Sequence, residues 1–570
     1  MRNGRRSWLV AFTAFFLVFG AWCFAAPFDG PADEVQHTIR AAGVASFDPG
    51  QIFARPAVVP DAFGRPGMGA YQQVPVGMDV HAFSFCFGNE PRQSADCAEG
   101  LSGGPIGEVS TSAGRYNPLY YFFVGPPLRW FPNWGGLIAA RLISSALCAA
   151  LLASAFVSLL RWSRYGLTAA ALLCVATPML AHLAGGVNPN SVEIAAGIAF
   201  FSAGIPLLLE PPDPVRKRNL VTLLGISAVL LLTLRSAGPA WFAFAFFALV
   251  VPVRWKWLKE YWTALRRVRY WTGGVILAAV LSAAWIVGMK TGELVPPIPG
   301  MWHWRFGEAV ALYINSWSIY LEGMIGVAGW FDVSMWKPFY MVWTMLVGGL
   351  VFFGAIFGNW TLRWRYLVIL LGGIVLPGFL QVSQANQTGF ITAGRYMLPL
   401  LAGLPLLGAW TLEQRLLDAD KVRSLARTFV VTLLPIHMVL LVWAMVRWQR
   451  GLPGSAGVGY FNPLAGNWHP PTTSFPPLVL MTIGLLYTGW VFWRVPHAGV
   501  PVAPVLVAEE APAAAPAGKS AELTEEVAPE ASHDVEVPVA AGDVPIQREI
   551  RSDTWRESRV PGAEAAPGSR

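Results

Sequence analysis

Charged side chains are scarce in this chain: only 13% of its 570 residues are Asp, Glu, Lys or Arg, against 54% hydrophobic, with a mean hydropathy of +0.47. That excludes a soluble domain of this length and leaves a polytopic membrane protein. Cysteine is rarer still, five residues with no CxxC pair and no Cys/His spacing, which excludes the common zinc modules. The motifs of nucleic-acid-binding folds are missing, so no nucleic-acid partner is expected despite a net charge of +7. No internal repeat is apparent, which removes a pattern that marks many transporters.

What is present is one apolar run after another. Windows near 8–26, 135–160, 166–184, 190–210, 219–234, 237–253, 272–289, 341–359, 366–383, 396–411, 427–447 and 475–494 predict about twelve transmembrane helices. Positive loops stay cytoplasmic, so alternate loops should collect Lys and Arg. Arg2, Arg5 and Arg6, Arg161 and Arg164, Arg216 to Arg218, the run from Arg254 to Arg269, Arg363 and Arg365, and Lys421 to Arg427 all fall on one side. A multi-pass protein of a bacterial plasma membrane is expected, with cytoplasmic termini. Its large outer loops are about 27–134 and 290–340, and 185–189, 384–395 and 448–474 also lie outside. The stretch Trp8 to Ala26 has signal-peptide features, but its length of about 19 residues and the polar motif behind it favour a retained anchor. Between 219 and 253, Arg235 to Pro239 either separates two short spans or breaks one long helix, which would exchange the sides of everything downstream.

The expected architecture is all-α: a transmembrane domain over 1–495 and a disordered cytoplasmic tail over 496–570, rich in Ala, Pro and Glu. From residue 497 on, 13 acidic and 6 basic residues leave the body at +14, read as topology signals and contact with anionic membrane lipids. The tail reads as solvated; protein partners for it are unknown. Cys23, Cys148 and Cys174 lie in apolar windows, whereas Cys86 and Cys97 share the first outer loop and read as a disulfide. In an oxidising compartment, closing that ring contributes about 3 kcal/mol in the chain-entropy picture.

Residues 28–37 (FDGPADEVQH) carry the most chemistry. Pro31 suits a first helical turn, which would hold Asp33 and Glu34, with Asp33, His37 and Arg40 on one face. Acids there also complement the helix dipole, a plainer role worth about 0.3–1 kcal/mol each. Other polar residues crowd the same outer rim: His182, Asn188, Asn190 and Glu193, then Arg235, then Glu322, Trp330, Asp332 and Lys337, then Arg395 and Tyr396. Ionisable groups near membrane depth cost about 2.5 kcal/mol or more by insertion scales, so several together call for a polar site. Singly, each has an ordinary reading: Asn190 or Ser191 as a helix cap, Trp330 in the aromatic belt, Arg395 snorkelling.

Taken together, 31–37 (PADEVQH), 116–120 (YNPLY), 186–190 (GVNPN), Arg235 with its following SAGP, 326–332 (GVAGWFD) and 394–399 (GRYMLP) resemble the bacterial membrane-protein family called domain of unknown function 2142. The resemblance spans roughly 8–495. Its pattern favours Gln where this chain has Ala393, and Trp-Leu-Asp where it has Trp330, Phe331 and Asp332. That family is similar to the GT-C glycosyltransferases, polytopic enzymes that take a sugar from a polyprenyl-phosphate donor on the outer face. The resemblance implies Asp33 as base or metal ligand with Glu34 and His37 as supports. Arg235 and Arg395 would stabilise the leaving phosphate, and Tyr116, Tyr120 and Trp330 would stack on sugar or lipid. Asn188, Asn190, Glu193, Asp332 and Tyr396 complete the expected substrate site, between a polyprenyl-phosphate lipid and a glycan acceptor of the cell envelope. Use of a divalent cation stays open, Asp33, Glu34 and a phosphate being able to hold Mg²⁺ or Mn²⁺ with several waters. Two other classes compete: a flippase or transporter of lipid-linked glycans, which would carry charge at mid-membrane, and a non-catalytic assembly subunit docking through tail and basic loops.

Overall fold

A computed structural model describes residues 4–60, 66–79, 85–88, 90–98, 100–293, 303–452 and 461–498. The expected acidic tail lies outside these residues, apart from its first three. Ten helices among the described residues are long and apolar enough to cross a membrane, and two bent helix pairs raise the number to twelve. Each of the twelve hydropathy windows coincides with one of them. The bent pairs are Leu167–Val175 with Pro178–Ala184, at 64°, and Gly238–Val250 with Trp255–Ala264, at 108°.

Polar caps set where several spans begin. Asn133, Asp213, Asn359 and Asp418 accept backbone N–H groups of Gly136, Arg216, Leu362 and Lys421 at 2.9–3.2 Å. Pro178, Pro189 and Pro214 occupy first turns, where a missing N–H costs nothing. The turn 185–188 ends in a cap made by Asn188, not by Asn190 or Ser191, because Pro189 fits the position after it; the Asn188 side chain accepts from Asn190 N at 3.0 Å.

Helix Pro189–Leu209 is the hub: 89% of its apolar window is buried, against 11% for Arg266–Gly288, whose Ile276, Leu277, Val280 and Leu281 face outward. Apolar side chains on the outside and small residues at helix contacts suit lipid as solvent. At Gly197 a Cβ would lie 2.1 Å from the Pro399 carbonyl oxygen, so only glycine lets the hub meet the turn that follows Arg395. Arg235 is the extended end (φ −141°, ψ 158°) of helix Pro214–Leu234; Gly238–Val250 then starts anew and packs against both that helix and the hub. Residues 219–253 thus form two helices, as the twelve-window reading requires.

The first large loop is a folded cap. Helix Glu34–Val44 packs on helix Leu119–Trp130 and on a three-stranded antiparallel sheet, Ala57–Pro60, Pro66–Pro75 and Ile106–Thr111, in which Ala57 pairs with Gly69 and Ala70 with Thr111. The Thr111 hydroxyl donates to the Gln36 carbonyl at 2.7 Å and Ser112 N donates to Gln36 Oε1 at 2.6 Å, pinning sheet to helix. A disulfide joins Cys86 to Cys97. The second loop contributes helices Phe306–Asn315 and Trp317–Ile325 and a hairpin, Val327–Ala328 with Val333–Ser334, whose tip carries Trp330 to Asp332.

Candidate functional site

Asp33 is the cap of helix Glu34–Val44, not part of its first turn: its backbone is left-handed (φ 68°, ψ 7°) and its side chain makes no capping bond. Asp29, also left-handed at φ 59°, takes over that duty by accepting Val35 N at 3.1 Å. Short polar residues tolerate this backbone, and here it turns Asp33 out of the helix. Its carboxylate, 43% exposed, meets the buried guanidinium of Arg395 at 3.1 Å. Arg395 begins the final turn before helix Leu398–Leu401, packed under helix Trp317–Ile325.

The cationic centre continues from there. The guanidinium carbons of Arg395 and Arg235 lie 5.3 and 4.5 Å from the centroid of the one Tyr396 ring. Arg395 also sits 4.7 Å over Phe331, and Arg235 5.9 Å over Tyr116. Behind Arg235, Glu193 stands at 3.6 Å and accepts from the Asn190 amide at 3.0 Å. Arg395 Nε, Glu193 Oε1 and Asn190 Oδ1 are buried without a hydrogen-bond partner in the protein, an arrangement that folded chains otherwise avoid. The structure therefore brings Asp33, Arg395, Tyr396, Arg235, Glu193 and Asn190 into one continuous cluster.

His37 adjoins it. Its Nδ1 is 2.8 Å from the Tyr121 hydroxyl and its ring stacks edge-on to Tyr116. Burial, reinforced by the charges of Arg235 and Arg395, lowers its pKa to about 3, so it is a neutral imidazole at ordinary pH. Burial also pushes the Asp29 carboxyl well above the usual range, with the carboxylates of Glu34 and Asp33 adding to the effect.

Several expected site residues are structural. Glu34 is wholly buried in a two-pronged pair with Arg141, at 2.5 and 2.8 Å, and accepts Asp29 N and Val187 N. It braces the Asp33 turn and is not a second carboxylate of the site. Asp332 is likewise taken: Arg447 Nε reaches it at 2.5 Å, and its other oxygen accepts Trp330 N. Trp330 extends from this turn to donate to the Asp29 carbonyl at 2.9 Å, linking the second large loop to the first. The Asn188 amide donates to the Ala32 carbonyl at 3.4 Å. His182 packs against Trp22 and Trp448, Tyr120 is buried against Ser144, and Glu322 pairs with Lys337, so none of these belongs to the cluster. Arg40 is spent on the carbonyls of Gln51, Ile52 and Tyr116 and shares no site face with Asp33. Among the described residues no group of three or more His, Cys, Asp or Glu forms a metal cage. With Glu34 held by Arg141, the Asp33–Glu34 pair does not fit a shared Mg²⁺ or Mn²⁺ site.

Arg141, Arg447 and Tyr121 escaped the sequence reading. The first two carried a signal: each is a lone arginine in or ending an apolar window, and such residues find partners inside the protein.

Fold and site together define a polytopic α-helical membrane protein with a polar centre of two carboxylates, one accessible and one buried, two guanidiniums and aromatic rings beneath its large loops. The chain belongs to the family described as Predicted membrane protein (DUF2142), whose model matches residues 16–404. That range holds every residue of the cluster, while Arg447 lies beyond it. No curated protein matches the chain. Among solved structures, ArnT from Cupriavidus metallidurans bound to undecaprenyl phosphate is similar at 13% identity and a TM-score of 0.37, covering 86% of this chain and 77% of that one. The same protein in the apo state gives 14% identity and a TM-score of 0.39, covering 88% and 78%.

Proposed function

We propose that the protein is a membrane glycosyltransferase that moves a sugar from a polyprenyl-phosphate donor to an acceptor of the cell envelope on the outer side of the plasma membrane. The observation that carries this reading is the 3.1 Å contact between an accessible carboxylate, Asp33, and a buried guanidinium, Arg395, with a second guanidinium, Arg235, across the same ring. Attack of a hydroxyl on an anomeric carbon needs a base, and departure of a lipid phosphate needs cations where negative charge develops. Both are here within one cluster. Phosphate oxygens on Arg395 and Arg235 would displace Asp33 from its ion pair, so donor binding frees the carboxylate that accepts the acceptor's proton. The C1–O bond to the phosphate breaks as the new glycosidic bond forms, and the phosphate leaves with the electron pair. Neutral His37 flanks the cluster, and Tyr116, Tyr396 and Phe331 offer rings to the sugar.

A transporter would place charge at mid-membrane and break its helices in matched positions. The charges of this cluster lie at span ends, and the two bent pairs differ, at 64° and 108°. The donor half of the reading is tested by binding of polyprenyl phosphate to purified protein in detergent, with inorganic phosphate as competitor. Arg395→Gln or Arg235→Gln is expected to weaken binding at least tenfold; Arg395→Gln, whose partner Asp33 is half-exposed, should do so without lowering the melting temperature of the free protein by more than a few degrees. Equal binding by both variants would remove the phosphate role.

A further inference from the structure

At the span ends opposite Asp33, four helices line an open cavity of about 940 Å³. Helices Gly4–Ala25, Trp134–Trp162, Pro214–Leu234 and Arg266–Gly288 each bring one arginine to it: Arg5, Arg161, Arg216 and Arg267. The first and third of these helices end at their other termini near Asp33 and at Arg235, a bilayer's thickness away at 1.5 Å per residue over 22 and 21 residues. Deeper in, the walls turn apolar, with Leu9, Leu223 and Ile226. No Asp or Glu lines the cavity; Asp213 stands beside it, 4.0 Å from Arg216 and engaged in capping that helix. Arg267 reaches only a neutral partner, the Asn219 amide oxygen, at 3.4 Å.

We infer that this cavity binds an anionic phospholipid of the leaflet on that side, its phosphate among the arginines and its acyl chains along the apolar wall. Arg161 and Arg267 bring like charges to the same cavity, with Arg216 beside them, and a phosphodiester placed there offsets their repulsion. Basic pockets between spans suit anionic headgroups for this reason. A choline headgroup would return a cation to the cluster, so a zwitterionic lipid fits poorly. The apolar depth selects a lipid over a free phosphate ester. This site stands apart from the Asp33 cluster and does not depend on the function proposed for it.

The test is the melting temperature of the full chain in neutral detergent, titrated with phosphatidylglycerol, phosphatidylcholine or glycerol phosphate. Phosphatidylglycerol is expected to raise it by several degrees, the other two not. A variant with Arg161→Gln and Arg267→Gln should need at least tenfold more lipid for the same rise, and Ile226→Trp, which fills the cavity but keeps its charge, should do likewise. Arg423→Gln, on another basic helix end, should respond as the wild type does. The inference is overturned if phosphatidylcholine or glycerol phosphate gives the same rise. It is equally overturned if Ile226→Trp and the double variant, or Ile226→Trp alone where the double variant does not fold, keep the full response.

Discussion

Asp33 carries a half-exposed carboxylate on a left-handed backbone, while the carboxylate of Glu34 is sealed against Arg141 with both side chains at 0% exposure. Neutralising one member of a buried pair leaves the other uncompensated, at a cost of about 3–5 kcal/mol. Glu34→Gln is therefore expected to lower the melting temperature sharply, and Asp33→Asn, which keeps shape and tolerates the same backbone, to leave it nearly unchanged. Thermal unfolding of the two variants side by side checks this; similar losses would contradict the division. His37 makes a pH prediction. Its pKa is about 3 folded against 6.5 unfolded, so between these values the unfolded chain binds a proton that the folded one excludes. Stability should fall as pH drops from about 6.5 toward 3, and His37→Gln should flatten that part of the curve. The resemblance set Asp33 apart from Glu34 and His37 as its supports, but that Glu34 is a buried brace was not legible, because nothing local to 28–37 reports that Arg141 waits in the next span.

At the scale of elements, the site depends on turns forced close by glycine. A Cβ on Gly394 would lie 1.9 Å from the Tyr320 carbonyl oxygen, so the turn bearing Arg395 can dock under helix Trp317–Ile325 only with glycine there. Overpacking of this kind typically costs about 1–3 kcal/mol. Gly394→Ala is expected to shift Arg395 away from Asp33, lowering both melting temperature and polyprenyl-phosphate binding. A variant with unaltered binding would show that the turn has slack. Hydropathy located the ten straight candidate spans and both bent pairs because apolar length is a local property, whereas the sequence left open whether Arg235 to Pro239 separates two spans or breaks one long helix. Asp332 was expected in the substrate site and Arg40 only on the helix face of Asp33; that Arg447 takes up the first and loop carbonyls the second is a product of tertiary folding that no local pattern encodes.

For the molecule as a whole, alternation of basic loops assigned sides to all twelve windows, and the spans traced in order bring Asp33, Arg235 and Arg395 to the same side. Their convergence is the part that sequence could only pose as a question: residues 33, 235 and 395 meet because the hub helix, the Arg235 break and the Arg395 turn share one rim. The central claim is that this rim is a centre of sugar transfer with Asp33 as base, and the most direct measurement of it is turnover. Purified wild type and Asp33→Asn are incubated with a panel of polyprenyl-phosphate sugars and an envelope extract as acceptor, and release of polyprenyl phosphate is followed. Wild type should release it from at least one donor, with an acceptor-dependent rate, and Asp33→Asn should be slower by about 10²–10⁴-fold at a donor affinity equal to or above that of the wild type. An Asp33→Asn variant turning over at the wild-type rate would contradict the account.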